Sequence, residues 1–144
     1  MDNRWSDRDA KAAVKKYTAT GVGEDLALRV YSTRLLGNEP RLVQHGGGNT
    51  SVKTHQRDIA GDEVEVLCVK GSGWDMGSIE PPGLPAVRLD GLLRLQGLAQ
   101  LSDEDMVNVQ RSNLLDSNPP NPSVETLLHA FLPAKFVDHT HATS

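Results

Sequence analysis

The chain of 144 residues has a single cysteine, Cys68. That excludes an intrachain disulfide framework and any zinc module built on several thiolates. Positive charge is in deficit. Lys and Arg total 15 against 19 Asp and Glu, for a net charge of −4 and a pI near 5.7. Such a balance argues against a nucleic-acid domain held by bulk charge. No apolar run approaches the roughly 18 residues needed to span a bilayer. The opening MDNRWSDRDAKAAVKK has no apolar core of a secretory signal. With membrane and nucleic acid removed as partners, a cytoplasmic, reducing setting is expected. What is present is ordinary globular material: an apolar fraction of 38% before 13 glycines are added, enough to exclude disorder over most of the chain. The length allows one domain or a piece of a larger one.

The hydrophobic pattern mixes helices and strands. Residues 7–17 read as a weak helix. A stronger one covers 25–36, where Leu28, Tyr31, Leu35 and Leu36 recur near the 3.6 period and Gly37-Asn38 supplies a stop. Gly46-Gly47-Gly48 reads as loop, because three consecutive glycines lose too much backbone entropy inside an element. Val64–Val69 predicts a strand buried on both faces, and Ala86–Leu89 a short second one. Ser102 caps a helix with an acidic first turn that runs through Met106 and Val109 to Leu114-Leu115. Pro122 opens the next helix, which continues through Glu125, Leu128 and Phe131 to a stop at Pro133. Phe136-Val137 begins a last extended segment. The predicted class is therefore α/β or α+β. Because His139-Thr140-His141 comes within five residues of Ser144 on a segment entering the core, the chain reads as one part of a longer polypeptide.

Four stretches can carry chemistry. In His139-Thr140-His141 an extended backbone points residues i and i+2 to one face, where two imidazoles can meet one cation; catalytic zinc usually takes three protein ligands. Glu125 and His129 are spaced to share a helical face. That makes Glu125 a candidate general acid/base and leaves His129 as a ligand, a partner to one, or a buried histidine with satisfied nitrogens. The loop His45-Gly-Gly-Gly-Asn49-Thr-Ser51 matches neither the dinucleotide nor the Walker spacing, yet offers backbone N–H groups, an amide and hydroxyls that suit an anion. Lys70-Gly71-Ser72-Gly73 follows a buried strand with the same small residues plus a cation. Ser123 lies near a predicted helix N-terminus, where phosphates bind. Each stretch alone also has a bland reading: two surface or packed histidines, a solvated glutamate in a first helical turn, or a plain loop. Their order is the specific signal.

In that order they resemble the class II aldolase/adducin family. Its Gly-Asn-x-Ser loop, Thr/Ser-Gly loop, Ser-Ser-Glu helix start and zinc-binding His-x-His stand here as Gly48-Asn49-Thr50-Ser51, Ser72-Gly73, Ser123-Val124-Glu125 and His139-Thr140-His141. The longer strings QHGGGNTSVK, VKGSGWDMG, NPSVETLLHAFLP and DHTHA look most like the aldolase half of bifunctional rhamnulose-1-phosphate aldolase/alcohol dehydrogenases. The resemblance covers roughly residues 25–144, with 1–24 as an N-terminal helical extension. It implies a three-layer α/β/α sandwich around a mainly antiparallel sheet, homo-oligomeric in the full-length protein. It further implies zinc on His139 and His141 with a third histidine beyond Ser144, and Glu125 as acid/base. The phosphate of a sugar phosphate would rest on Asn49, Ser51, Ser72, Gly73 and Ser123. Val124 replaces a second serine of the family pattern, and Lys70 is placed to compensate with charge. The implied reaction is retro-aldol cleavage of a ketose 1-phosphate, with NAD only if a dehydrogenase domain follows. The same scaffold serves sugar-phosphate epimerases, a dehydratase and non-catalytic adducin-like modules.

Overall fold

The computed structural model describes residues 5–39, 48–71, 73–97, 102–115 and 125–140. Among these residues four antiparallel strands form one sheet in the order β3-β2-β1-β4: β1 is Asn49–Arg57, β2 Glu63–Val69, β3 Ala86–Arg88 and β4 Phe136–His139. Helices α1 (Asp7–Thr18) and α2 (Glu24–Gly37) cover one face; α3 (Leu89–Leu93) and α5 (Thr126–Phe131) cover the other. Helix α4 spans Asp103–Ser112. The result is a three-layer α/β/α sandwich with an antiparallel centre. Among the described residues no helix is long and apolar enough to cross a membrane.

Strand alternation produces the two cores. Val52, Val66 and Cys68 face Tyr17, Leu26, Ala27 and Val30 of α1 and α2. Leu67, Val69 and Val87 face Leu89 and Leu92 of α3 and Ala130 of α5. Val66 through Val69 are all fully buried, as expected for a strand covered on both sides.

Several expectations are displaced. The residues of α2 turned most deeply inward are Leu26, Ala27, Arg29, Val30 and Thr33; Leu28, Tyr31, Leu35 and Leu36 are only half-buried. An apolar-period reading passes over an arginine and a threonine that tertiary partners make buriable. The glycine-rich loop gives way at Asn49 to β1, the longest strand, whose polar residues NTSVKTHQR hide it from a hydrophobicity pattern. Helix α4 stops at Ser112, and Leu114-Leu115 leave it to run beside β3: Arg88 N–H donates to Asn113 O at 2.8 Å and Leu115 N–H to Ala86 O at 3.1 Å.

The loop after β2 is tied to the first helical layer. The Glu80 carboxylate accepts from Tyr17 Oη at 2.9 Å and from Arg34 at 2.8 Å. Gly37 ends α2 against the 3₁₀ turn Met76–Ser78, where a Cβ would lie 2.2 Å from Gly77 N. Only glycine permits that approach.

Candidate active site

The register of the sheet assembles the site. Asn49 pairs with His139 and Ser51 with Val137 across β1 and β4, so Asn49, Ser51 and His139 share the sheet face that α5 covers. Glu125 is the residue immediately before α5. It therefore enters the site from the helix start rather than from inside a helix, as the periodicity implies.

A continuous chain of side-chain hydrogen bonds crosses this face. Ser51 Oγ lies 2.7 Å from His129 Nδ1, His129 Nε2 meets Asn49 Oδ1, Asn49 Nδ2 donates to Glu125 Oε2 at 2.6 Å, and Glu125 Oε2 meets His139 Nδ1. An ionised carboxylate only accepts, so it fixes the Asn49 amide with Nδ2 towards Glu125 and Oδ1 towards His129. Oδ1 in turn requires a proton on His129 Nε2, which leaves Nδ1 to accept from the Ser51 hydroxyl. His129 is fully buried with both ring nitrogens engaged, which removes it as a metal ligand here. Its pKa falls to about 4, chiefly because burial disfavours the charged ring, despite the opposing pull of Glu125. His129 is therefore neutral at physiological pH.

Two cations brace the arrangement. Lys53 Nζ donates to His129 O at 2.9 Å and to Ala134 O at 2.6 Å, closing the C-terminal end of the helix whose start carries Glu125. On the opposite sheet face, Arg29 is 2% exposed and its NH1 reaches Asp138 Oδ1 at 2.7 Å. The guanidinium also lies over the Phe136 ring, 5.6 Å from its centroid. Arg29 thereby holds the strand that ends in His139. Beside it Thr33 Oγ1 and Thr50 Oγ1 are 2.7 Å apart. Pattern reading misses Arg29, Lys53 and Asp138; no local signal marks them, because their roles arise from contacts across layers.

Of the expected site residues, Asn49, Ser51, Glu125 and His139 are brought together. Ser51 is fully buried, its hydroxyl turned to His129. Gly73 sits in the loop after β2 with φ +86°, a left-handed turn that favours glycine. Ser72, Ser123 and His141 lie outside the described residues, as does the expected helix start at Pro122. Lys70 is buried, its ammonium 3.4 Å from Gly71 O. Burial lowers its pKa, and nearby Asp75 partly offsets this.

His139 tests the fit to a divalent cation. Its Nδ1 meets the Glu125 carboxylate, an acceptor when ionised, so the nitrogen turned away from Glu125, Nε2, is the one with a lone pair to offer a cation. Metal-binding histidines share this arrangement, a carboxylate fixing the tautomer. An imidazole nitrogen beside a carboxylate is also the N/O donor chemistry that zinc accepts. Among the described residues no three or more His, Cys, Asp or Glu gather around one metal position. The residues present thus fit one part of a ligand set.

A three-layer sandwich with an Asn, a Glu and a His converging at a strand end describes a recognisable class of domain. A model of the class II aldolase and adducin N-terminal domain matches residues 28–144. The solved N-terminal class II aldolase domain of a conserved protein from Thermoplasma acidophilum is 43% identical with a TM-score of 0.84, over 99% of this chain and 61% of that one. The uncharacterized oxidoreductase YuxG of Bacillus subtilis (strain 168) is 46% identical over 112 residues, 78% of this chain and 16% of that protein. The chain belongs to the class II aldolase and adducin N-terminal domain family. It spans 16% of the curated relative's length and 61% of the solved chain's.

Proposed function

We propose that this chain contributes the carbon–carbon bond-cleaving site of a divalent-metal-dependent sugar-phosphate lyase. The substrate is a ketose 1-phosphate, rhamnulose 1-phosphate first among the candidates, cleaved to dihydroxyacetone phosphate and L-lactaldehyde. The observation that carries the reading is the convergence of Asn49, Glu125 and His139 from three separate elements. In this proposal His139 and His141 hold zinc, with a third histidine from outside this chain. When bound, the cation supplies a Lewis acid that stabilises negative charge developing on the substrate's oxygens.

The chain's own residues do the rest. Asn49, Ser72, Gly73 and Ser123 hold the phosphate, Ser51 supports them from the buried side, and Lys70 adds positive charge. Fixing that end keeps the reacting carbons in register with Glu125. As C3–C4 breaks, its electron pair stays on C3 of the phosphate-bearing fragment, and Glu125 delivers a proton to that carbon. That proton comes from the C4 hydroxyl, which gives it up to the ionised Glu125 as the aldehyde forms, so no water and no net proton is consumed. The name of the oxidoreductase relative supports a full-length protein that also carries an oxidoreductase domain, with NAD as cofactor only if that domain is a dehydrogenase. We place that protein in the cytoplasm as a homo-oligomer.

Incubating the full-length protein and zinc with rhamnulose 1-phosphate tests this reading. Two three-carbon products support cleavage; an isomeric six-carbon product would assign the site to an epimerase. Glu125→Gln should abolish turnover with zinc still bound. Undiminished activity in that variant refutes the role of Glu125, and failure of the full-length protein to bind zinc would favour a non-catalytic module.

A further inference from the structure

We infer that His129 is a positioning residue whose imidazole, anchored by Ser51, sets the Asn49 amide and through it the carboxylate of Glu125. The inference rests on the proposed role of Glu125 and adds to it the group that aims that carboxylate.

Three features carry it. His129 is fully buried, and each ring nitrogen has its own partner, Ser51 Oγ on one side and Asn49 Oδ1 on the other. Every donor and acceptor in the chain is determined once Glu125 is ionised, so the amide is held in one of its two orientations. A flipped Asn49 would set its carbonyl oxygen against the carboxylate and its NH2 against the His129 N–H, two repulsive contacts in a buried site. The ring is also fixed independently of its hydrogen bonds. It lies on α5 beside Ala130, which packs into the sheet, and Lys53 ties the carbonyl of His129 itself to β1.

The chain is not a proton wire. An amide stands between His129 and Glu125, and Asn49 cannot pass a proton between its oxygen and nitrogen without becoming an imidic acid. His129 therefore neither supplies nor removes the proton that Glu125 moves. What it contributes is direction, and its value lies in the ring staying neutral with one fixed tautomer.

The test uses the full-length, zinc-loaded protein with three variants. His129→Ala should lower kcat about 10–100-fold, the range for residues that orient a group touching metal or substrate, while KM and zinc affinity from chelator competition change less than threefold. His129→Gln, whose amide N–H can still donate to Asn49, should recover most of kcat. Asn49→Ala should lose at least as much kcat as His129→Ala and, because Asn49 also holds the phosphate, raise KM; adding His129→Ala to it should lower kcat little further, because His129 acts through Asn49. An activity-free readout uses the nitrogen spectrum of wild-type His129: a protonated Nε2 and an unprotonated Nδ1 are expected, unchanged from pH 8 to pH 6. An Nδ1–H tautomer overturns the proposal, as does an unaltered kcat in His129→Ala or a parallel loss of zinc affinity and kcat in both His129 variants. If the wild type has no lyase activity while the tautomer is as described, the functional reading fails and the hydrogen-bond chain stands.

Discussion

Removing either partner of the Arg29–Asp138 pair should not cost the same. The Arg29 side chain is 2% exposed and that of Asp138 48% exposed, with 2.7 Å between NH1 and Oδ1. Burial lowers the Arg29 pKa, and Asp138 opposes that effect, so the carboxylate is the main compensation for a buried charge. Asp138→Ala leaves the guanidinium buried beside the carbonyl of Ser51, 3.3 Å away, with Nε already lacking a partner. Breaking a buried pair in this way costs about 3–5 kcal/mol; a half-exposed partner sets the expectation at the low end, about 3 kcal/mol. Arg29→Met keeps an unbranched stem against Phe136, removes the buried charge and the orphan Nε, and leaves Asp138 to water. Its cost should be about 1 kcal/mol. Once the buried charge is gone the carboxylate has little left to do, so the double variant should match Arg29→Met, giving a coupling of about 3 kcal/mol, the whole cost of Asp138→Ala. Equilibrium urea unfolding measures all three, and in a domain of this size each kcal/mol moves Tm by roughly 4 °C. Equal costs for the two single variants, or a cheaper Asp138→Ala, would refute the reasoning that burial decides which partner matters.

Gly37→Ala should destabilise by about 3 kcal/mol, although alanine is the better helix former, because the new Cβ would lie 2.2 Å from Gly77 N and 2.4 Å from the Met76 carbonyl carbon, and backbone cannot yield as a side-chain tip does; the denaturation midpoint reports it. Cys68 is fully buried, and burial, helped by the negative charge of Asp25, pushes its thiol up to about 12. At pH 8 a thiol reagent should leave the folded protein unmodified and titrate one thiol on addition of urea. His129 has a folded pKa of about 4 against about 6.5 when unfolded. Its contribution is then complete above pH 6.5, where both states are neutral. It is lost progressively as pH falls towards 4, because only the unfolded chain takes up the proton. The loss reaches at most about 3 kcal/mol. Urea unfolding between pH 7 and 4 should show that slope in the wild type and a flatter one in His129→Gln.

What the sequence determined by itself was local. Spacing marks His139 and Glu125 as chemistry, runs of apolar residues mark β2 and β3, and Ser102 with its acidic neighbours announces α4, whose cap is a bond from Asp105 N–H to Ser102 Oγ at 3.1 Å. The four ordered motifs were enough to name the family, because each needs only a few neighbouring residues to be legible. Tertiary structure decided the rest. Only the pairing of β1 with β4 turns Asn49, Ser51 and His139 to one face, and β1 itself is a strand because β2 and β4 flank it, not because its residues favour one. Arg29, Thr33 and Lys53 read as surface residues until partners on other elements satisfy them: Asp138 for the arginine, Thr50 for the threonine, and the carbonyls of His129 and Ala134 for the lysine. Burial of a polar group depends on what waits for it inside, and that partner is commonly a residue far along the chain. Ser51 and His129 show this most clearly: 78 residues apart in sequence and 2.7 Å apart in space, they acquire their roles from each other.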